Sequence, residues 1–165
     1  MNQRFFITIF AIICAGTAMF AGTTGTLTLT GTVSGVLDIT VTSTATASDL
    51  NLLVDQSDVE VATIVEKSNK VGGYTVQLES ANAVAANSNV ATLNGTGANT
   101  DVLEYSLSYD GNAVSFSNGV AVITDASSTT GSSGVTKSMS ISYTGDDGLA
   151  EDTYSDTLTF TIAAK

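Results

Sequence analysis

The chain has 165 residues, with no histidine, tryptophan or proline, one cysteine, and a net charge of −11. That inventory excludes Ser-His and Cys-His nucleophile pairs and the usual transition-metal ligand sets, and so acidic a surface repels nucleic acid and anionic lipid. Two carboxylates would suffice for glycoside hydrolysis, yet none here stands in a recognisable motif, so the reading is that the chain is not an enzyme.

The chain begins with a basic start ending at Arg4, an apolar run FFITIFAIICA over residues 5–15, and a small-residue exit reaching Ala21. This order describes a secretory signal peptide, and the run is short for a membrane span. Cleavage is expected after Ala18 or Ala21, with Ala21 preferred because the pattern turns to β directly beyond it. Ile13 before Cys14 argues against a lipoprotein site. Cys14 leaves with the signal peptide, so the mature chain carries no disulfide and draws its stability from packing and strand pairing. It retains Lys67, Lys70, Lys137 and Lys165 against sixteen acidic residues, a net charge of −12.

Residues 22–33 read GTTGTLTLTGTV, placing Leu27, Leu29, Gly31 and Val33 on one face of an extended segment and threonines on the other. They form either an ordinary first strand or a strand added to a neighbouring subunit's sheet. Ser34-Gly35 makes a break, after which a strand over 36–42 is expected, followed by strands over 50–54 and 59–66. In GYTVQLES, Tyr74, Val76 and Leu78 share an apolar face. ANAVAAN, residues 81–87, is the one candidate for a short helical turn. In VLEYSLSY, Leu103, Tyr105, Leu107 and Tyr109 align. Turns are expected at 110–112 and 117–119, short strands at 114–116 and 120–124, and a flexible SSTTGSSG loop at 127–134. Met139, Ile141 and Tyr143 form the next apolar row, and the last strand sets Tyr154, Leu158, Phe160 and Ile162 against threonines and Ser155.

Strands wet on one side and dry on the other call for two antiparallel sheets packed face to face, an all-β, immunoglobulin-like sandwich of about eight to ten strands. The tyrosines fall on the dry faces, where they serve a core better than a carbohydrate platform. The acidic stretch from Asp146 to Asp156 lacks the spacing of a calcium loop and reads as a solvated turn, with cation binding as the alternative. No cofactor or metal site is expected.

Two segments carry a family resemblance. TLTLTGTVSGVLDITVT resembles the opening of colonisation-factor type pilins of the alternate chaperone-usher class, in which an N-terminal donor strand runs into the first domain strand. EDTYSDTLTFTIAAK is similar to the ending of those pilins and of the spore coat protein U-like secreted proteins, which close with a Tyr-Ser/Thr-Asp strand. The resemblance implies an incomplete immunoglobulin-like sandwich lacking its final strand and completed by strand donation between subunits. Tyr154, Leu158, Phe160 and Ile162 would line the acceptor groove, filled first by a periplasmic chaperone and then by the next subunit. Leu27, Leu29 and Val33 would be the entering side chains, with Gly31 at a shallow point. The chain lacks the cysteine pair and penultimate tyrosine of the commonest pilins, Ala164 standing there, which favours an alternate or archaic branch.

The implied organisation is a signal peptide over 1–21, a donor extension over 22–34 and a sandwich over 35–165. The implied role is a structural subunit of a surface fibre, a pilus or fimbria, supporting adhesion. Its partners would be identical or related subunits, the chaperone, an outer-membrane usher and a host or surface receptor, with no nucleic acid among them. Its place would be the cell surface or the medium, reached through the periplasm. The other reading is a self-contained secreted β-sandwich that binds a partner. The two differ in whether residues 22–34 pack on their own domain.

Overall fold

The computed structural model describes residues 22–165, so the expected signal peptide lies outside the described residues. The chain divides into two units, one ending at Val33 and one running from Ser34 to Lys165. Residues 22–33 take up no helix or strand, and Leu27, Leu29 and Val33 are 85%, 85% and 86% exposed.

In the second unit the alternating runs become strands: β1 (Leu37–Ser43), β2 (Gln56–Ser68), β3 (Tyr74–Ser80), β4 (Ala91–Gly95), β5 (Val102–Tyr109), β6 (Asn112–Ala113), β7 (Val120–Ala126), β8 (Val135–Tyr143), β9 (Tyr154–Ser155) and β10 (Leu158–Ala164). An α-helix, α1 (Ala81–Ala86), occupies the ANAVAAN stretch, and a turn of 3-10 helix spans Ala45–Ser48. Ser80 caps α1 by accepting from the Ala83 amide, and Asn87 ends it in the left-handed region. The turns at Asp110-Gly111 and Asn118-Gly119 have positive φ at both central residues, as two-residue hairpin loops between right-twisted strands require.

The strands form two antiparallel sheets. One has the order β1-β2-β8-β5-β4-β9, with β6 attached to β5, and the other has the order β10-β3-β7. In a complete immunoglobulin-type sandwich, strands A, B, E and D make one sheet and C, F and G the other. Here β1, β2, β8 and β5 take the A, B, E and D places, and β3 and β10 those of C and F. Among the described residues nothing pairs with β10 where strand G would lie. The fold is an incomplete immunoglobulin-like β-sandwich.

The core follows the alternation. Tyr74, Val76 and Leu78 of β3, Leu103, Tyr105, Leu107 and Tyr109 of β5, and Met139, Ile141 and Tyr143 of β8 are all buried, while their sequence neighbours turn outward. Burying each large apolar side chain contributes roughly 1.5–3 kcal/mol, so these rows fix register as well as stability.

Three local expectations differ from the structure, and one strand was not expected. Residues 50–54 form no strand, because the Asn51 side chain accepts from the Leu53 amide and turns the backbone. Leu50 and Leu52 then reach the core while Leu53 and Val54 stay exposed. Residues 114–116 are likewise irregular, with Val114 and Phe116 packed against the core from a loop. Strand β4, with only Ala91 and Leu93 to bury, escapes a pattern reading and is specified by its partner β5. The last strand is two strands: β9 pairs with β4 in the first sheet, β10 with β3 in the second, and the chain changes sheets at Asp156-Thr157.

Candidate functional site: an open groove beside the last strand

Strand β10 is an edge. Its register runs from Leu158 opposite Ser80 to Ala164 opposite Tyr74, and among the described residues no strand lies on the side away from β3. Across the opening between the sheets stands β1, the edge of the first sheet, paired among the described residues only with β2. The five residues between Ser68 and Tyr74 reverse the chain from β2 into β3, so β2 and β3 run oppositely. Because β1 is antiparallel to β2 and β10 to β3, β1 and β10 run in opposite directions. A strand G antiparallel to β10 would therefore lie parallel to β1.

Between these edges lies a cleft of about 280 Å³. Val41 of β1 and Leu158 and Phe160 of β10 form its sides, and Leu107, Met139 and Ile141 its floor. The inward row of β10 is only half-buried, whereas the matching rows of β3, β5 and β8 are buried. The apolar face of Leu158, Phe160 and Ile162 is thus partly uncovered, next to backbone donors and acceptors without a ladder partner. Both demands would be met by one extended segment with alternate apolar side chains.

Of the residues expected at this groove, Leu158, Phe160 and Ile162 share the inward face of β10. Tyr154 does not join them. It sits on β9 opposite Gly95, and its hydroxyl donates to the Ala150 carbonyl at 2.8 Å and to Asp101 at 3.4 Å. Leu27, Leu29, Gly31 and Val33 belong to the other unit of the chain.

Two carboxylates frame the core. Asp156, at the sheet change, accepts from the Tyr105 hydroxyl at 2.5 Å and the Ser80 hydroxyl at 2.6 Å, and from the amides of Asn82 and Thr157. It thereby joins β5 of the first sheet to β3 and α1 of the second. Glu66, fully buried on β2, accepts from Tyr109 at 2.6 Å, Thr124 at 2.7 Å and Tyr74 at 2.9 Å, and faces Lys137 at 3.6 Å. Lys137 in turn donates to the Thr124 hydroxyl at 3.0 Å and lies over the Tyr109 ring. A buried carboxylate without such partners would be strongly destabilising. Burial is the main cause that raises all five tyrosine hydroxyls above their ordinary pKa. Hydrogen bonding to Glu66 adds to this for Tyr74, which is pushed up to about 12, and for Tyr109, and Asp156 does the same for Tyr105.

The sequence pattern marks Asp156 only as part of a solvated acidic turn, whereas it is bonded between the sheets, and it does not single out Glu66. The signal for Glu66 was its parity: it shares a strand face with Ala62 and Ile64, where a carboxylate is out of place.

The acidic stretch is occupied with loop backbone. Asp146 accepts from the Gly148 amide, Asp152 from the Gly97 amide and the Asn99 side chain, and Asp101 from the Ala150 amide. Among the described residues no group of three or more Asp, Glu, His or Cys is placed to hold a metal ion.

The site defines a class: an all-β sandwich of immunoglobulin type with one strand position unfilled beside its last strand. No protein-family model and no curated protein matches the sequence. Among solved structures, the chain is similar to the E. coli Hda pilus minor tip subunit, HdaB, at 18% identity over 76% of this chain and 79% of that one, with a TM-score of 0.39.

Proposed function

We propose that the chain is a structural subunit of a bacterial surface fibre, a pilus or fimbria, that assembles by donor-strand exchange and supports adhesion. The observation that carries this reading is the unpaired edge of β10 beside a half-covered apolar row at the strand G position. Residues 22–33 have the complementary character: Leu27, Leu29 and Val33 alternate with threonines and are exposed. Burying those three side chains in a neighbour's groove would contribute roughly 1.5–3 kcal/mol each, and the ladder formed would remove an aggregation-prone edge. Because the donating and accepting surfaces differ, repetition is head-to-tail, and it gives an open polymer when the rotation between subunits does not close a ring.

On this reading the subunit is exported through the periplasm, where a chaperone strand occupies the groove until an outer-membrane usher brings the next subunit. Its partners in the fibre are identical or related subunits, and the fibre presents them to a host or other surface receptor.

The test is to purify the mature protein from a periplasm with its chaperone supplied, and to compare unheated with boiled samples on a denaturing gel. A ladder of multimers that collapses on boiling is expected. An independently stable monomer in both lanes would replace this reading with that of a self-contained secreted binding module.

A further inference from the structure

We infer that Asn69 denies residues 22–33 the groove of their own domain, and so commits them to a second copy of the chain; this rests on the donor-strand reading above. The danger it meets is geometric. Residues 22–33 directly precede β1, which forms one wall of the groove, and Ser34-Gly35 is turn-forming sequence. A hairpin back along β1 would fill the groove in cis.

Register decides which residues such a hairpin needs. Side chains directly opposite one another share a face, and β1 turns Leu37, Ile39 and Val41 inward. The tightest hairpin that sends its own leucines inward sets Val33 opposite Leu37, Gly31 opposite Ile39 and Leu29 opposite Val41. Shifting by one residue would put the threonines into the core instead. That register leaves Ser34, Gly35 and Val36 as a three-residue loop, an ordinary hairpin length.

Those are the residues that Asn69 holds. Its side-chain amide donates to the Ser34 carbonyl at 2.7 Å, its side-chain oxygen accepts from the Val36 amide at 2.6 Å, and its own amide donates to the Val36 carbonyl at 3.1 Å. Both backbone groups of Val36 are thereby committed to the β2 side, continuing the β1–β2 ladder beyond Leu37 opposite Ser68. A three-residue hairpin loop takes its third residue into the left-handed region, and Val36, β-branched and held on the β2 side, has no positive φ. The clamp and the loop are mutually exclusive. A cis strand would also run antiparallel to β1 and hence parallel to β10, the slightly weaker pairing, whereas a strand from another copy is free to run antiparallel to β10.

The experiment uses the mature chain, free of native cysteine, carrying Leu29→Cys and Val41→Cys, the pair that the cis register would place opposite each other. It is oxidised after purification with its chaperone, in the wild-type background and with Asn69→Ala. Peptide mapping of the monomer band gives the fraction with an intramolecular 29–41 disulfide. That fraction is expected to be minor with Asn69 and to rise about fivefold or more in Asn69→Ala, with a matching loss of multimers. Asn69→Asp, which keeps the acceptor for Val36 and loses the donor to Ser34, guards against a folding defect and should fall between the two. An unchanged fraction in both variants, or a dominant 29–41 disulfide with Asn69 in place, would overturn the role of Asn69 while leaving strand donation standing. Absence of both multimers and the 29–41 disulfide in every protein would overturn strand donation itself.

Discussion

Tyr105 and Asp156 join the two sheets where the chain crosses between them, the hydroxyl on β5 donating to the carboxylate at 2.5 Å. Tyr105→Phe removes a hydrogen bond to a charged group and leaves the ring in place, so it should cost about 1.5–3 kcal/mol in urea denaturation. Asp156→Ala removes the same bond together with those from Ser80, Asn82 and Thr157, and should cost more than Tyr105→Phe. Equal midpoints for both variants and the parent would show that the sheets are held without this contact.

Glu66 should be the most sensitive single position in the domain. Glu66→Leu leaves three buried hydroxyls without their acceptor and the partly buried Lys137 ammonium without its counter-charge, and breaking a pair with one side fully buried costs about 3–5 kcal/mol. Replacing Lys137 by Met in the Glu66→Leu background should restore part of the loss, since an apolar pair needs no counter-charge. Thermal denaturation of the two single variants and the double variant measures that coupling.

Stability should fall in alkali. A tyrosine whose folded pKa lies above its unfolded value of about 10 favours the folded state while it is protonated. Its contribution is complete below pH 10 and is lost as pH rises through the folded value, about 12 for Tyr74 and higher for Tyr105 and Tyr109. Tyrosinate absorbance should therefore appear late and together with loss of the β-sheet circular dichroism signal. Independent titration near pH 10 with the fold intact would contradict the buried hydroxyl contacts.

If the chain assembles by strand donation, groove and donor should fail separately. Leu29→Asp places a charge where an apolar side chain is needed and should abolish multimers while leaving export and chaperone binding intact. Phe160→Asp alters the cleft wall and should abolish acceptance as well as chaperone binding. Mixing the two variants should yield at most dimers, because the Phe160→Asp protein can only donate and the Leu29→Asp protein can only accept. Long polymers from either variant alone would remove that residue from the interface.

The strand faces were legible because period-two alternation is local: Tyr74, Val76 and Leu78, or Leu103 through Tyr109, declare themselves without reference to the rest of the chain. The break at Asp156 was not. Tyr154, Leu158, Phe160 and Ile162 keep one parity across it, and what divides them is a set of partners on β3, α1 and β5 that sequence separation conceals. Glu66 was half legible, its misplaced charge visible in the parity of β2, its hydroxyl partners supplied by three other strands. Asn69 gave no pattern signal, since its importance lies in the backbone groups it touches.

The opposed directions of β1 and β10 bear on how such a fibre would carry tension. Force would enter a domain at the N-terminal end of β1, and would leave through the neighbour's strand lying along β10, whose connection to its own domain lies at the other pole. The seven paired residues of β1 and β2, from Leu37 to Ser43, and the seven of β10 and β3 would then be loaded in shear. Rungs pulled along their length share the load at once, whereas rungs peeled from one end break singly, so in such a fibre the strand order that leaves the groove open would also set the subunit in its mechanically stronger orientation.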